Sequence, residues 1–248
     1  MMTRNKGGRS LRIFLLVSSL VLLFSFAGAA IYLGDYYRAN DAAEAAFPLR
    51  EGILEYTDSE GRLCLVPEGA TVGFVFYPGG KVDHTAYLPL MRALANEGIL
   101  CVLAPMPFRL AVLDMDAAAG VEREFPSVTA WYIGGHSLGG SMASAYLEKA
   151  AAAYRGVVLL GAYSTVDLSE SGLSVLSVYG EHDGVMNREK YAACLENLPS
   201  DTVEIVLPGG NHAYFGMYGE QKGDGEATLT PEEQIRITAT AIQSFIGE

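Results

Sequence analysis

Gly135-His136-Ser137-Leu138-Gly139 is a G-x-S-x-G pentapeptide. It follows the apolar run Thr129-Ala130-Trp131-Tyr132-Ile133 and precedes an alanine-rich stretch from Met142 to Tyr154 that stops at Gly156. The run before it reads as a buried strand and the stretch after it as a helix. A serine on a sharp turn between the two is held at a strained tip with its hydroxyl clear of the sheet. Glycines two residues to either side let strand and helix cross more closely than a β-carbon permits. The string alone is common and a turn serine is its plain alternative, so the strand–turn–helix setting is what makes Ser137 a candidate nucleophile.

Working outward, Gly52 to Tyr56 and Arg62 to Val66 read as strands around an Asp58-Ser59-Glu60-Gly61 turn. Val72 to Tyr77 is a continuous apolar strand of the kind covered on both faces. A loop from Pro78 to Asp83 leads to a helix with Leu88, Met91, Leu94 and Ala95 on one face, stopped by Gly98. Ile99 to Ala104 is a further strand, and Pro105 to Ser127 carries one helix around Ala111 to Val121. After the pentapeptide come strands at Val157 to Gly161, Leu173 to Tyr179 and Val203 to Leu207, and a helix capped by Asn187. Thr230-Pro231-Glu232-Glu233 is a capping box that opens a last helix, with Ile235, Ala239, Ile242, Phe245 and Ile246 facing inward. The alternation predicts an α/β fold: a doubly wound, mostly parallel sheet of about eight strands, with its site at the carboxyl ends of the strands.

A serine hydroxyl is a weak nucleophile unless a base takes its proton and an acid orients that base. Asp183 follows the strand ending at Tyr179, and His212 follows the last strand in Pro208-Gly209-Gly210-Asn211-His212. Both fall on the edge that carries Ser137. Glu181 and Asp167 are fallback acids, and His182, which adjoins Asp183, is an alternative base. His136 reads as a packing or solvent-facing residue, His84 as a helix-start residue, Lys81 as a loop charge or a contact for an anionic group, and Trp131 as core.

Together these residues resemble the α/β-hydrolase fold, in its compact lidless branch that includes dienelactone-hydrolase-like enzymes, over roughly Ile53 to Ile246. The resemblance implies a Ser137–His212–Asp183 triad that cleaves an ester-like bond through an acyl-enzyme, with no metal and no cofactor. It also implies two main-chain donors for the oxyanion. One is the Leu138 N–H. The other lies in Pro78-Gly79-Gly80-Lys81, where Pro78-Gly79 replaces the usual His-Gly pair, and is Gly80 or Lys81. Only about a dozen residues separate the two strands between which a lid domain usually inserts. An open, shallow pocket is therefore expected, suited to small or polymer-attached acyl substrates. Peptidase, thioesterase or transacylase chemistry on the same triad stays open, as does a non-catalytic exported binding module. Substrate choice falls to the loops Pro105 to Arg109, Tyr163 to Gly172 and Ala213 to Gly223. Ala213 to Gly219 reads either as an apolar wall and gate or as packing over the last helix.

The first 34 residues stand apart. Arg4, Lys6, Arg9 and Arg12 precede an uncharged run of 22 residues from Ile13 to Gly34, which as a helix would be about 33 Å long and cross a bilayer. The basic flank predicts a cytoplasmic N-terminus and an extracytoplasmic domain on a membrane anchor. The competing reading is a signal peptide cleaved after Ala27-Gly28-Ala29 and a secreted domain. Residues 35–50 read as a polar stalk, and 51–248 as the catalytic domain. Four of the 17 basic residues belong to the anchor, leaving 13 against 29 acidic residues, a net charge of −16. That balance disfavours nucleic acid and anionic membrane surfaces as partners. Cys64, Cys101 and Cys194 read as buried thiols; they form no C-x-x-C pair and have no metal-ligand spacing. Oligomeric state has no signature here.

Overall fold

The computed structural model describes residues 6–247. Helix α1, Lys6–Gly34, belongs to a unit that ends at Tyr36. Its stretch Phe14–Gly34, with a mean hydropathy of 2.4, is the one helix among the described residues long and apolar enough to cross a membrane. Arg4 lies outside the described residues.

The second unit begins at Tyr37. It contains α2 (Asp41–Ala45), β1 (Ile53–Thr57), β2 (Leu63–Pro67), β3 (Val72–Tyr77), α3 (Leu88–Ala95), β4 (Leu100–Leu103), α4 (Val121–Glu124), β5 (Ala130–His136), α5 (Leu138–Ala150), β6 (Gly156–Leu160), β7 (Ser174–Gly180), α6 (Arg188–Cys194), β8 (Val203–Leu207) and α7 (Pro231–Gly247). The eight strands form one sheet in the order β1-β2-β4-β3-β5-β6-β7-β8; β1 and β2 are antiparallel and the six from β4 to β8 run parallel. The expected fold class is the observed one.

Strand alternation explains the layering. Phe74, Phe76, Val158, Leu160, Leu176 and Val178 turn to one face and pack under α3 and α7. Val75, Tyr77, Ile133, Val157, Leu159 and Val175 turn to the other, under α5. The chain reverses direction across the sheet after β4, so β5 returns to the far side of β3. The carboxyl ends of β3 and β5, paired through Tyr77 and Gly135, therefore border the crevice where such sheets hold their sites.

Three local expectations change. The helix expected around Ala111 to Val121 is a 3-10 turn, Ala111–Leu113, followed by loose turns and the single turn of α4. The Tyr77 hydroxyl donates to the Met115 carbonyl and accepts the Ala118 N–H, both at 2.8 Å. Those backbone groups serve the tyrosine instead of a helix, and Gly120 at φ 86 closes the stretch. The segment read as a stalk is packed from Tyr37 onward: Tyr37 bridges to Val82, the Asn40 N–H bonds the Met217 carbonyl, and Ala43 is buried. Cys194 is half-buried, whereas Cys64 and Cys101 are in the core.

Candidate active site

Ser137 sits between β5 and α5 at φ 52, ψ −121, a conformation that costs a non-glycine residue about 1–3 kcal/mol. Its N–H bonds the Leu160 carbonyl at 2.9 Å, and its own carbonyl accepts the first helical bond, from Ser141, at 3.1 Å. The flanking glycines are required by contact. A β-carbon on Gly135 would lie 2.5 Å from the Tyr77 oxygen and 2.6 Å from the Gly139 carbonyl carbon, and one on Gly139 would run into the Tyr77 and Pro78 oxygens. The serine hydroxyl caps nothing in α5. The Leu138 N–H, in the first turn of the helix, has no intrahelical acceptor.

The loop after β3 runs beside this turn. Its Gly79 N–H donates to the Tyr87 hydroxyl at 3.1 Å, and its Lys81 N–H donates to the Arg109 carbonyl at 2.8 Å. Lys81 is thereby occupied, and Gly80 is the member of the pair whose N–H bonds no backbone carbonyl among the described residues. A β-carbon built on Gly80 would sit 3.0 Å from Leu138 Cδ2, so the two candidate donor residues adjoin.

Asp183 and His212 meet as their strand order predicts. Asp183 Oδ2 lies 2.8 Å from His212 Nδ1, with side chains 0% and 1% exposed. The other oxygen of Asp183 accepts the Val185 and Met186 N–H groups at 3.0 and 2.8 Å. Burial pushes the carboxyl up, but the hydrogen bond and charge of His212, with those two N–H groups, overcome it and hold Asp183 below the usual carboxylate range. An ionised Asp183 keeps the imidazole proton on Nδ1. His212 Nε2 is buried and has no partner among the described residues. Gly161, after β6, passes over the pair at φ 52, where a β-carbon would lie 2.9 Å from His212 Nδ1 and 3.1 Å from Asp183 Oδ2. Gly161 also lines the same cleft as Ser137.

Several residues that hold this arrangement escape sequence reasoning. Asp224 Oδ1 accepts N–H groups from Gly184, on the acid's loop, at 3.1 Å and from His212 at 3.2 Å, and Oδ2 accepts Ala213 N–H at 2.8 Å. One carboxylate thus clasps the loops of acid and base. The Gly223-Asp224-Gly225 triplet, an acidic residue between glycines in a loop, is the only signal it offers. Gln234 is fully buried on α7 and bonds both the N–H and the carbonyl of Asn211, at 3.0 and 2.8 Å. Tyr87 reads only as a core aromatic. Its hydroxyl accepts from the Gly79 N–H and shares a hydrogen bond with His136 Nδ1, 2.7 Å away. His136 packs against His212 with ring centroids 4.4 Å apart and ring planes inclined by 49°. Burial, and then repulsion from His212, hold its pKa well below the usual histidine value, so it is a neutral packing residue.

The remaining candidates lie elsewhere. Glu181 accepts the Gly209 N–H at 2.9 Å, Asp167 bonds Ser169, and His182 is exposed. His84 opens a 3-10 turn beside Asp83, and Trp131 is core. A cleft of about 250 Å³ opens over Ser137, lined also by Leu138, Gly161, Tyr163, Val185 and Met186. Tyr163 comes from one of the loops expected to matter; Val185 and Met186, on the acid's own loop, were not anticipated. Phe215, Met217 and Tyr218 are buried against α3 and α7, so Ala213 to Gly219 is packing and not a gate. Among the described residues, no group of three or more His, Cys, Asp or Glu side chains is gathered as a metal site.

A family model described as the alpha/beta hydrolase family matches residues 73–236. No curated protein matches the chain. Among solved structures, dienelactone hydrolase from Anabaena variabilis is similar at 16% identity and TM-score 0.58, covering 79% of this chain and 97% of its own. A thermophilic esterase from Thermogutta terrifontis is similar at 13% identity and TM-score 0.54, over 79% of this chain and 98% of its own. A bacterial membrane phospholipase A is similar at 11% identity and TM-score 0.59, over 98% of both chains. At these identities the structures speak for the fold alone.

Proposed function

The chain belongs to the alpha/beta hydrolase family, and on that premise we propose that it is a serine hydrolase of carboxylesterase type, working through Ser137, His212 and Asp183. His212 Nε2 takes the Ser137 hydroxyl proton as the oxygen attacks an ester-like carbonyl. The tetrahedral oxyanion is held by the Leu138 and Gly80 N–H groups. The leaving alcohol departs with the proton from His212, which then deprotonates a water. That water attacks the acyl-serine, and the acid leaves as the proton returns to Ser137. Asp183 stays ionised throughout and balances the imidazolium.

One observation carries this reading: a buried Asp183–His212 pair at 2.8 Å, its outer nitrogen without a partner among the described residues, packed against the Gly161 that lines the cleft of a strained Ser137. The small cleft supports short acyl groups, or acyl groups displayed on a larger carrier, as substrate. The apolar helix Phe14–Gly34 supports an anchored chain, with the basic residues before it favouring an extracytoplasmic domain. A membrane lipid ester is a second reading; the membrane phospholipase A, whose similarity extends over the N-terminal helix, favours it. Ser137→Ala is expected to abolish turnover of an activated short-chain ester while leaving the melting temperature within a few degrees. Undiminished turnover would remove the assignment.

A further inference from the structure

Phe108, Val112, Leu113 and Met115, at 60, 51, 56 and 42% exposure, are four of the ten large apolar side chains exposed on the unit that begins at Tyr37. They fall within eight consecutive residues, while the other six are scattered over β1, β8 and the helices. The segment is held in place and not loosely draped. Phe108 and Arg109 both adopt left-handed backbone, at φ 50 and 61. The Arg109 and Leu110 N–H groups bond the Met106 and Pro107 carbonyls at 2.8 and 3.0 Å, Tyr77 pins Met115 and Ala118, and Ala111 is buried beneath. Strained backbone that holds an aromatic ring out in solvent is a reason to look for a function.

Its position supplies the occupant. The Arg109 carbonyl accepts the Lys81 N–H, and the Lys81 carbonyl accepts the Tyr37 N–H; the Asp83 N–H returns to the Tyr37 carbonyl, each bond at 2.8 Å. The loop that carries Gly80 is thus sandwiched between the apolar segment and Tyr37. Tyr37 is the third residue after Gly34, where the apolar helix ends, and three residues span at most about 10 Å. The loop beside Ser137 is therefore hydrogen-bonded to the residue that lies three positions after the end of the apolar helix.

We propose that residues 108–115 form a lip that inserts Phe108, Val112, Leu113 and Met115 into the lipid surface of the membrane carrying the chain, so that the mouth of the Ser137 cleft opens at the lipid–water boundary. Residues 35–248, at −16, suit a zwitterionic or neutral surface better than an anionic one. The contact itself goes beyond the hydrolase reading; only its catalytic consequence, preferential action on esters held in the bilayer, rests on that reading.

The test uses the full chain in phosphatidylcholine proteoliposomes. Phe108→Trp introduces a fluorophore whose added emission is expected to fall by half or more when the lipid is brominated, while Leu195→Trp, on the exposed side of the 3-10 turn after α6, stays within a tenth of its unbrominated value. Absence of quenching at position 108, or equal quenching at both positions, overturns the lip whether or not the protein hydrolyses anything. Val112→Asn with Leu113→Asn, two exposed positions outside the 105–109 loop, is expected to cut hydrolysis of a bilayer-held ester at least tenfold and leave a soluble short-chain ester within twofold. An equal change on both substrates contradicts the proposal. A parent inactive on the soluble ester counts against the hydrolase reading alone, and the quenching result still stands.

Discussion

The two halves of the site are built by different means. The elbow, the turn between β5 and α5 that carries Ser137, and the loop after β3 are positioned by main chain: strand register pairs Tyr77 with Gly135, and carbonyls stand where the β-carbons of Gly135 and Gly139 would be. The acid–base half is positioned by side chains, with Asp224, Gln234 and Asn211 tying the His212 loop to α7 and to the loop of Asp183. A site half held by backbone contact fails all at once when volume is added. One held by a net of hydrogen bonds loses precision by degrees.

The largest effect is expected in the first half. Gly139→Ala must displace the Tyr77 and Pro78 carbonyls or the elbow itself, at about 1–3 kcal/mol or more. Its melting temperature should fall by several degrees, and ester turnover should drop below detection. A variant that melts with the parent and turns over normally would break the distinction. In the second half, Asp224→Ala should lower kcat by about a hundredfold, the scale of a small misplacement of a catalytic group, with KM changed less than twofold. Asp224→Asn, which keeps one acceptor oxygen, should recover part of the loss. A purely structural aspartate would shift the melting curve without that split between kcat and KM.

The smallest effect is one of pH. Asp183 is held below its unfolded pKa, so the stability it contributes is present above about pH 4, the unfolded value, and is lost as pH falls through the lower folded value. The melting-temperature gap between the parent and Asp183→Asn should be widest near neutrality and close below that point. A gap that widens in acid would contradict the assignment of Asp183 as a paired carboxylate.

What was legible in the sequence follows the same divide. Continuous apolar runs mark the buried strands and apolar faces with glycine stops mark the helices, and the Thr230 capping box forms as expected, with Thr230 and Glu233 exchanging hydrogen bonds at 2.8 and 3.2 Å. Ser137, Asp183 and His212 are visible because each ends or follows a strand on one edge, which chain order alone can place. Asp224, Gln234 and Tyr87 are not, because their roles depend on loops meeting across the fold. The helix expected at Ala111 to Val121 fails for a related reason: a tyrosine 41 residues from Ala118 claims its backbone groups. The stretch read as a stalk is packed through partners, Val82 and Met217, that lie far along the chain.

The central claim is that Ser137 is a nucleophile activated by the buried Asp183–His212 pair. Covalent labelling of the full chain with a fluorophosphonate probe, read by intact mass, tests it most directly. Stoichiometric labelling is expected for the parent, none for Ser137→Ala, and labelling slowed by about a thousandfold or more for His212→Ala, in keeping with the losses on removing a triad base. A parent that stays unlabelled, or a Ser137→Ala variant that labels as fast as the parent, would contradict the account.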